Sequence, residues 1–192
     1  ELFARDMKGL LAFTRVTGAL IRNIRRVSKP VVAAVNGVAV GAGAVVALAC
    51  DLRIASEKAR FGFVFPQVGL CGADMGAAYL LPRIVGLGHA SELLFTGDII
   101  GAEHAARIGL VNRVVAPDAV VAEATALATR LARGPAFAHA MTKKMIEDEA
   151  NLDLEAAIEA EAQAQAICMQ HPDFREAFDA WTGKRPPRFE GL

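Results

Sequence analysis

The chain has 192 residues, enough for one domain with a substantial core. Its 21 basic and 21 acidic residues balance, which argues against a nucleic-acid binder relying on a general positive field. Apolar residues make up 54% and aromatic ones only 6%, so Ala, Val and Leu are expected to fill the core.

The chain opens as helix. Leu2, Phe3, Leu10, Leu11, Phe13, Val16, Leu20, Ile21 and Ile24 line one apolar side of residues 2–27. Arg22, Arg25 and Arg26 crowd the last turn, where cations suit the helix dipole. No initiator Met precedes this helix, which is an odd place for a domain to begin, and no signal peptide is visible.

Residues 30–50, PVVAAVNGVAVGAGAVVALAC, form the longest apolar run. About 20 apolar residues suffice to cross a bilayer, but Asn36-Gly37, Gly41 and Gly43 punctuate this stretch, and Pro30, Asp51 and Arg53 bound it. No membrane span is expected. The run divides instead into a strand over 31–35, a Gly-bearing turn and a helix over 42–50. The first N–H groups of such a helix have no internal partner and carry the positive end of its dipole. Glycines beside them let a ligand approach the backbone, so the turn could hold a phosphate, a carboxylate or an oxyanion. A tight turn serving only close helix–strand packing fits the pattern equally well.

Short strands are predicted over 52–55 and 60–65 around a turn at 56–59. A glycine-broken loop, 69–73, leads to a helix starting at Asp74, which Pro82 should kink or end. Short helices over 89–96 and 103–108 and a strand over 111–115 follow. From residue 118 the pattern is helical, with segments over 118–133, 136–149, 152–170 and 173–181 and a basic, Pro-rich tail, GKRPPRFEGL. The Ala- and Glu-rich third segment suits an exposed or intersubunit position.

Cys50, Cys71 and Cys168 have no metal-like spacing and are odd in number, so reduced thiols in an intracellular protein are expected. His89, His104, His139 and His171 are scattered singly, and no metal site is expected from them.

Several motifs recur together and in order. SKPVVAAVNGVAVGAGAVVALACDLRIASEKARFGF resembles a K-P-x-x-A-A-x-x-G-x-x-x-G-G-G segment with its C-D strand and A-x-F block. VGLCGADMGAAYLLPRIVG is similar to the loop and helix that follow, and ASELLFTGDIIGAEHAARIGLVNRVV to a T-G-x-x-x-x-A-x-x-A-x-x-x-G-L-V-x-x-V segment. FDAWTGKRPPRFEGL is similar to an F-x-E-K-R-x-P-x-F ending. Essentially the whole chain thus resembles the enoyl-CoA hydratase/isomerase (crotonase) superfamily.

The resemblance implies an α/β, crotonase-like (ClpP/crotonase) spiral of ββα units with a helical C-terminal region. Residues 1–117 would be the C-terminal part of the spiral core, with its N-terminal strands and one oxyanion donor absent from this chain. Residues 118–192 would be a helical trimerisation region. The implied chemistry is acyl-CoA thioester activation, with two backbone N–H groups holding the thioester oxygen. One of these would be the Ala42 N–H, with Gly37, Gly41, Gly43, Val45, Phe65 and Gln67 around the substrate. Hydratases of the family place one acid/base Glu three residues after that donor and a second after the A-x-F block. Here these positions fall at Val45 and near Phe65-Pro66-Gln67, and none is acidic.

Asp74, in GADMG, remains as the candidate acid/base and is similar to the loop aspartate of dienoyl-CoA isomerases. An Asp ahead of Met-Gly-Ala-Ala-Tyr is also a good helix N-cap. Lys184, with Arg185 and Arg188, resembles the family's basic cluster near the CoA phosphates. The resemblance implies no cofactor beyond coenzyme A as part of the substrate, no metal, no nucleic acid and no membrane. It implies a cytoplasmic homotrimer or dimer of trimers. A second function stays open, a non-catalytic acyl-CoA-binding or assembly subunit that lost the acid/base pair. A Clp-type serine peptidase is disfavoured because residues 41–46 contain no Ser. A Rossmann dinucleotide site is disfavoured by the missing third glycine.

Overall fold

The structure, a computed structural model, describes residues 2–190. The chain divides into two compact units. The first takes the residues up to Val27 and Val31–Thr125, and the second takes Ser28–Pro30 and the residues from Ala126 onward.

The first unit opens with a short 3-10 turn, Leu2–Ala4, and the helix α1, Met7–Arg26. Asp6 caps α1, its Oδ1 accepting the Gly9 N–H at 2.8 Å. Of the predicted apolar side, Ile21 is buried, whereas Leu2, Phe3, Leu10, Leu11, Phe13, Val16 and Leu20 are exposed.

Two ββα passages follow. The first is β1 (Val32–Val35), β2 (Val38–Val40) and α2 (Ala42–Ala49). The second begins with β3 (Leu52–Ser56) and β4 (Arg60–Gly62) and continues through a 3-10 turn, Phe65–Val68, to α3 (Ala77–Val85). Each strand lies parallel to its counterpart one passage earlier, β3 on β1 with Val32 opposite Leu52, and β4 on β2 with Val38 opposite Arg60. Parallel neighbours need a crossover, and α2 supplies it. This is the ββα spiral. α4 (Leu87–Thr96), β5 (Ile99–Gly101), α5 (Ala102–Arg107) and β6 (Arg113–Val115) complete two three-stranded sheets, β1-β3-β6 and β2-β4-β5. β5 runs antiparallel to β4, and β6 parallel to β3.

The core is mostly Ala, Val, Leu and Ile, as composition requires, but its largest fully buried side chains include Phe61 and Phe63. The few aromatics are therefore concentrated in and just after β4. The apolar run over 30–50 is consumed by β1, β2 and α2, and no helix among the described residues is long and apolar enough to cross a membrane.

Three element predictions need correction. Residues 38–40, read as part of a turn, form β2, a strand too short to show alternation in sequence. The strand over 60–65 stops at Gly62, because Phe65–Val68 winds into a 3-10 turn. The helix assigned from Asp74 starts at Ala77, and Pro82 lies inside it. A proline removes one intrahelical bond, and this helix still runs to Val85, where the Gly86 N–H closes on the Pro82 carbonyl at 3.0 Å.

The helix α6 (Val120–Ala132) contains the division between the units, so the helical predictions and the compact units differ by a few residues there. In the second unit α7 (Ala136–Asp148) packs on α8 (Leu154–Gln170), and α8 on α9 (Pro172–Thr182). The Phe137 ring stacks on His171 at 4.5 Å. Leu154, Ile158, Ile167, Met169, Phe174, Phe178 and Trp181 are exposed on α8 and α9.

The loop before α3 is seated tightly, since a Cβ on Gly72 would lie 2.4 Å from the Leu94 carbonyl oxygen. Gly72→Ala is therefore predicted to cost roughly 1–3 kcal/mol, read as a lower urea midpoint. An unchanged midpoint would show that the loop reseats freely.

Candidate active site

The site starts at the β2–α2 junction. Gly41 has φ 53° and ψ −124°, a backbone conformation that side chains resist. Its N–H donates to the Gly62 carbonyl at 2.8 Å, which pins the turn to β4. Val45 N–H is the first to find its partner inside α2, the Gly41 carbonyl at 3.2 Å, and no side chain caps the helix. The N–H groups of Ala42, Gly43 and Ala44 thus have no acceptor among the described residues. Ala42 and Gly43 are exposed, and nothing lies within 4 Å of where a Gly43 Cβ would stand. An open, positively polarised donor edge results.

One wall beside this edge is apolar. Val64 Cγ2 and Phe65 Cε1 lie 3.9 and 4.0 Å from the vacant Cβ position of Gly41. Phe65 is 8% exposed and opens the 3-10 turn. Gln67, on the same turn, does not extend this wall, because its Nε2 donates to the Gly97 carbonyl at 2.8 Å and braces the loop. Val45 is wholly buried at 0% exposure in the core under α2, so it cannot face a substrate directly as expected. Gly37 lies in the β1–β2 link, where its carbonyl accepts the Arg60 N–H at 3.2 Å and no atom crowds its α-carbon.

Asp74 is not an N-cap. The cap residue of α3 is Gly76, and the Ala77 N–H bonds the main-chain carbonyl of Asp74 at 2.8 Å. Met75 (φ 51°) and Gly76 (φ 94°) both take positive φ between them, the signature of a type I′ turn. A Met there is strained, and its buried side chain holds it in the same core cluster as Ala44 and Val45. The Asp74 carboxylate is half-buried and has no hydrogen-bond or ion-pair partner among the described residues. The turn leads directly into α3, which packs on α2.

The opposite end of α2 holds two charges that the sequence reading did not assign. Asp51 Oδ2 accepts the Val31 N–H at 2.7 Å, and its Oδ1 pairs with Arg25 at 3.3 Å. The buried Arg53 guanidinium donates to the carbonyls of Leu110 (2.7 Å), Cys50 (2.6 Å) and Ala47 (3.4 Å). Burial pushes its pKa down, opposed by the neighbouring Cys50 and Asp51. A lone arginine inside the apolar stretch Leu52-Arg53-Ile54-Ala55 was the available signal. Among the described residues no three His, Cys, Asp or Glu gather where they could hold a metal ion.

The sequence profile of the enoyl-CoA hydratase/isomerase family matches residues 11–192. The chain belongs to that family. It is 39% identical over 171 residues to a crotonyl-CoA hydratase of Syntrophomonas wolfei, covering 88% of this chain and 65% of that protein. It is 35% identical over 181 residues to a 1,2-epoxyphenylacetyl-CoA isomerase of Escherichia coli, covering 94% of this chain and 69% of the other. A solved enoyl-CoA hydratase of Bacillus anthracis superposes with a TM-score of 0.95 at 30% identity, covering all of this chain and 74% of that one. The chain spans about two thirds of these proteins' length, 65% for the Syntrophomonas enzyme.

In the second unit, the family-like basic tail is divided. Arg185 is committed to Glu176 through two bonds of 2.6 and 2.8 Å, and the Arg188 N–H donates to Glu176 Oε1 at 2.6 Å. Lys184 is exposed, at a positive φ of 50°, and remains the candidate for phosphate. The Arg185 bond, then the Arg188 N–H, hold the Glu176 carboxyl at about 2, below its ordinary 4.5. A depressed carboxyl stabilises the fold above its unfolded pKa, and this is lost as pH falls through the folded value. The Arg188 amide resonance of the folded protein is therefore expected to titrate in a pH window centred on about 2 rather than on 4.5. Glu176→Gln should abolish that titration, and an amide indifferent to pH in this window would contradict the tie.

Proposed function

We propose that this chain carries the thioester-activating half of an acyl-CoA enzyme of the hydratase/isomerase type. The observation that supports it is the uncapped start of α2, where Ala42 is exposed, its N–H has no acceptor among the described residues, and Gly43 beside it is clear. The thioester oxygen accepts the Ala42 N–H, which strengthens as enolate-like charge develops on that oxygen. Phe65 and Val64 flank the acyl group and exclude water. With Val45 at one position where an acid would serve a hydratase and the acid-free stretch Phe65-Pro66-Gln67 around the other, proton transfer falls to Asp74. Its carboxylate takes a proton from one acyl carbon and returns it to another, the balance of an isomerisation. The positive-φ turn at Met75 fixes the backbone that follows this group, in keeping with strain kept where chemistry needs it.

Lys184 binds a CoA phosphate, and coenzyme A enters as part of the substrate, with no separate cofactor. The exposed apolar residues of α8 and α9 pack against further copies in a trimer or dimer of trimers. The protein works in the cytoplasm.

A second reading has its own support. The wholly buried Val45 and the apolar Phe65 also suit a subunit that binds acyl-CoA without turning it over. One experiment separates the two. Full-length protein is screened on enoyl-, dienoyl- and aryl-CoA thioesters, with affinity measured alongside turnover. Asp74→Asn is predicted to lower kcat at least ~100-fold while leaving acyl-CoA affinity within about threefold, a difference too small to signal a lost contact. Near-normal turnover in that variant would refute the role of Asp74, and binding without any wild-type turnover would establish the second reading.

A further inference from the structure

The donor end of α2 is one of two ends, and the other holds a buried cation. Arg53 is 6% exposed, and among the described residues every hydrogen bond of its guanidinium goes to a main-chain carbonyl. Two of these carbonyls, Ala47 and Cys50, close the C-terminus of α2, where the last carbonyls of a helix lack internal partners. The third, Leu110, lies just before β6. The Arg53 N–H itself is held by Asn112 Oδ1 at 2.8 Å, so backbone and side chain are both fixed. Asp51, which acts on Arg53 through space, already serves Arg25 and the Val31 N–H. Arginine stays protonated in proteins even when burial opposes its charge.

We propose that Arg53 is a positioning residue for the reaction, fixing α2 from behind and adding its charge to the field that Ala42 presents to the thioester oxygen. This rests on the reading of Ala42 as the thioester donor. The geometry gives two separable actions. The forked bonds to Ala47, Cys50 and Leu110 stop α2 from sliding along its axis, which keeps the Ala42 N–H in place. The positive charge acts along the helix from its far end, through core rather than water. α2 has eight residues, and at 1.5 Å per residue the charge lies about 12–15 Å behind the donor edge. At an effective dielectric near 20, a unit charge at that range changes a rate roughly five- to tenfold when an oxyanion develops. Water screening is weak along this line, because Ala44, Val45, Ala47, Leu48 and Ala49 of α2 are all buried.

The test uses full-length protein and 2,4-hexadienoyl-CoA, with Raman difference spectra reading the carbonyl stretch of the bound thioester. Three variants divide the effects. Arg53→Met removes both charge and bonds, Arg53→Lys keeps the charge but not the fork, and Asn112→Ala loosens the same corner while leaving the charge. The wild type is expected to shift the bound carbonyl to lower frequency. Arg53→Met should lose the larger part of that shift and lower kcat roughly five- to tenfold with KM within about twofold, whereas Arg53→Lys and Asn112→Ala, with the charge kept and the corner loosened, should lose only the smaller part that positioning supplies. If Arg53→Met does not fold, Arg53→Gln, which removes the charge and keeps hydrogen-bond donors, takes its place. A carbonyl shift in Arg53→Lys as small as in the folded uncharged variant would overturn the charge, as would a full shift in that uncharged variant. A wild-type carbonyl with no shift at all would overturn the Ala42 reading beneath it, and that outcome is distinct from either of these.

Discussion

The rest of the site depends on one backbone constraint, the positive φ of Gly41. At φ 53° and ψ −124° the chain enters α2 without the extended cap that most helices use. A Ser, Thr, Asp or Asn cap stabilises a helix by about 0.5–2 kcal/mol, and this helix forgoes it. The Gly41 N–H is spent on the Gly62 carbonyl, so the turn is tied to β4 rather than to its own helix. What remains is a row of donors at Ala42, Gly43 and Ala44 with no acceptor among the described residues, and the side-chain space at Gly43 is empty. In the proposed function, the thioester oxygen is the acceptor that these donors take.

That tie to β4 sets the surroundings. Because Gly62 is the anchor, the residues immediately after it, Val64 and Phe65, arrive beside the turn and form its apolar wall. Because α2 starts at Ala42, Val45 points into the core, fully buried. A carboxylate at Val45 would have to be buried with it, at a large desolvation cost unless paired. The free carboxylate of this region comes instead from the Asp74 turn, whose Met75 carries about 1–3 kcal/mol of backbone strain held by its buried side chain. Donor and carboxylate sit on α2 and on the turn before α3, and those two helices pack together.

The fold was legible where sequence pattern and local geometry agree. The apolar run with three glycines divided into strand and helix at the right place, and the C-terminal helices fell close to their punctuation at Gly134-Pro135 and His171-Pro172. β2 escaped notice because three residues cannot display a period of two. The start of α3 was misplaced because Asp74 looks like a cap, while the positive φ of Met75 cannot be read from a residue type that rarely adopts it. Ala42 was named as a donor from the motif, and the geometry leaves its N–H without an acceptor among the described residues. The resemblance put Gln67 beside the substrate and Arg185 in the basic cluster, and their partners, the Gly97 carbonyl and Glu176, are 30 and 9 residues away in sequence, where no local pattern shows them. Arg53 was visible only as a charge in an apolar stretch, since its partners are main-chain carbonyls that no side-chain pattern encodes.

The central claim is that one main-chain N–H, that of Ala42, holds the thioester oxygen. It can be deleted without touching a side chain by replacing Ala42 with lactic acid through nonsense suppression, which exchanges the amide N–H for an ester oxygen. That N–H makes no bond within α2, so the helix is touched only through the Gly41 carbonyl, which becomes a weaker ester acceptor for the Val45 N–H. In full-length protein acting on its best acyl-CoA thioester, kcat/KM is predicted to fall about 100- to 1,000-fold, the scale of losing one oxyanion donor. An ester variant that folds and retains wild-type kcat/KM would contradict the account.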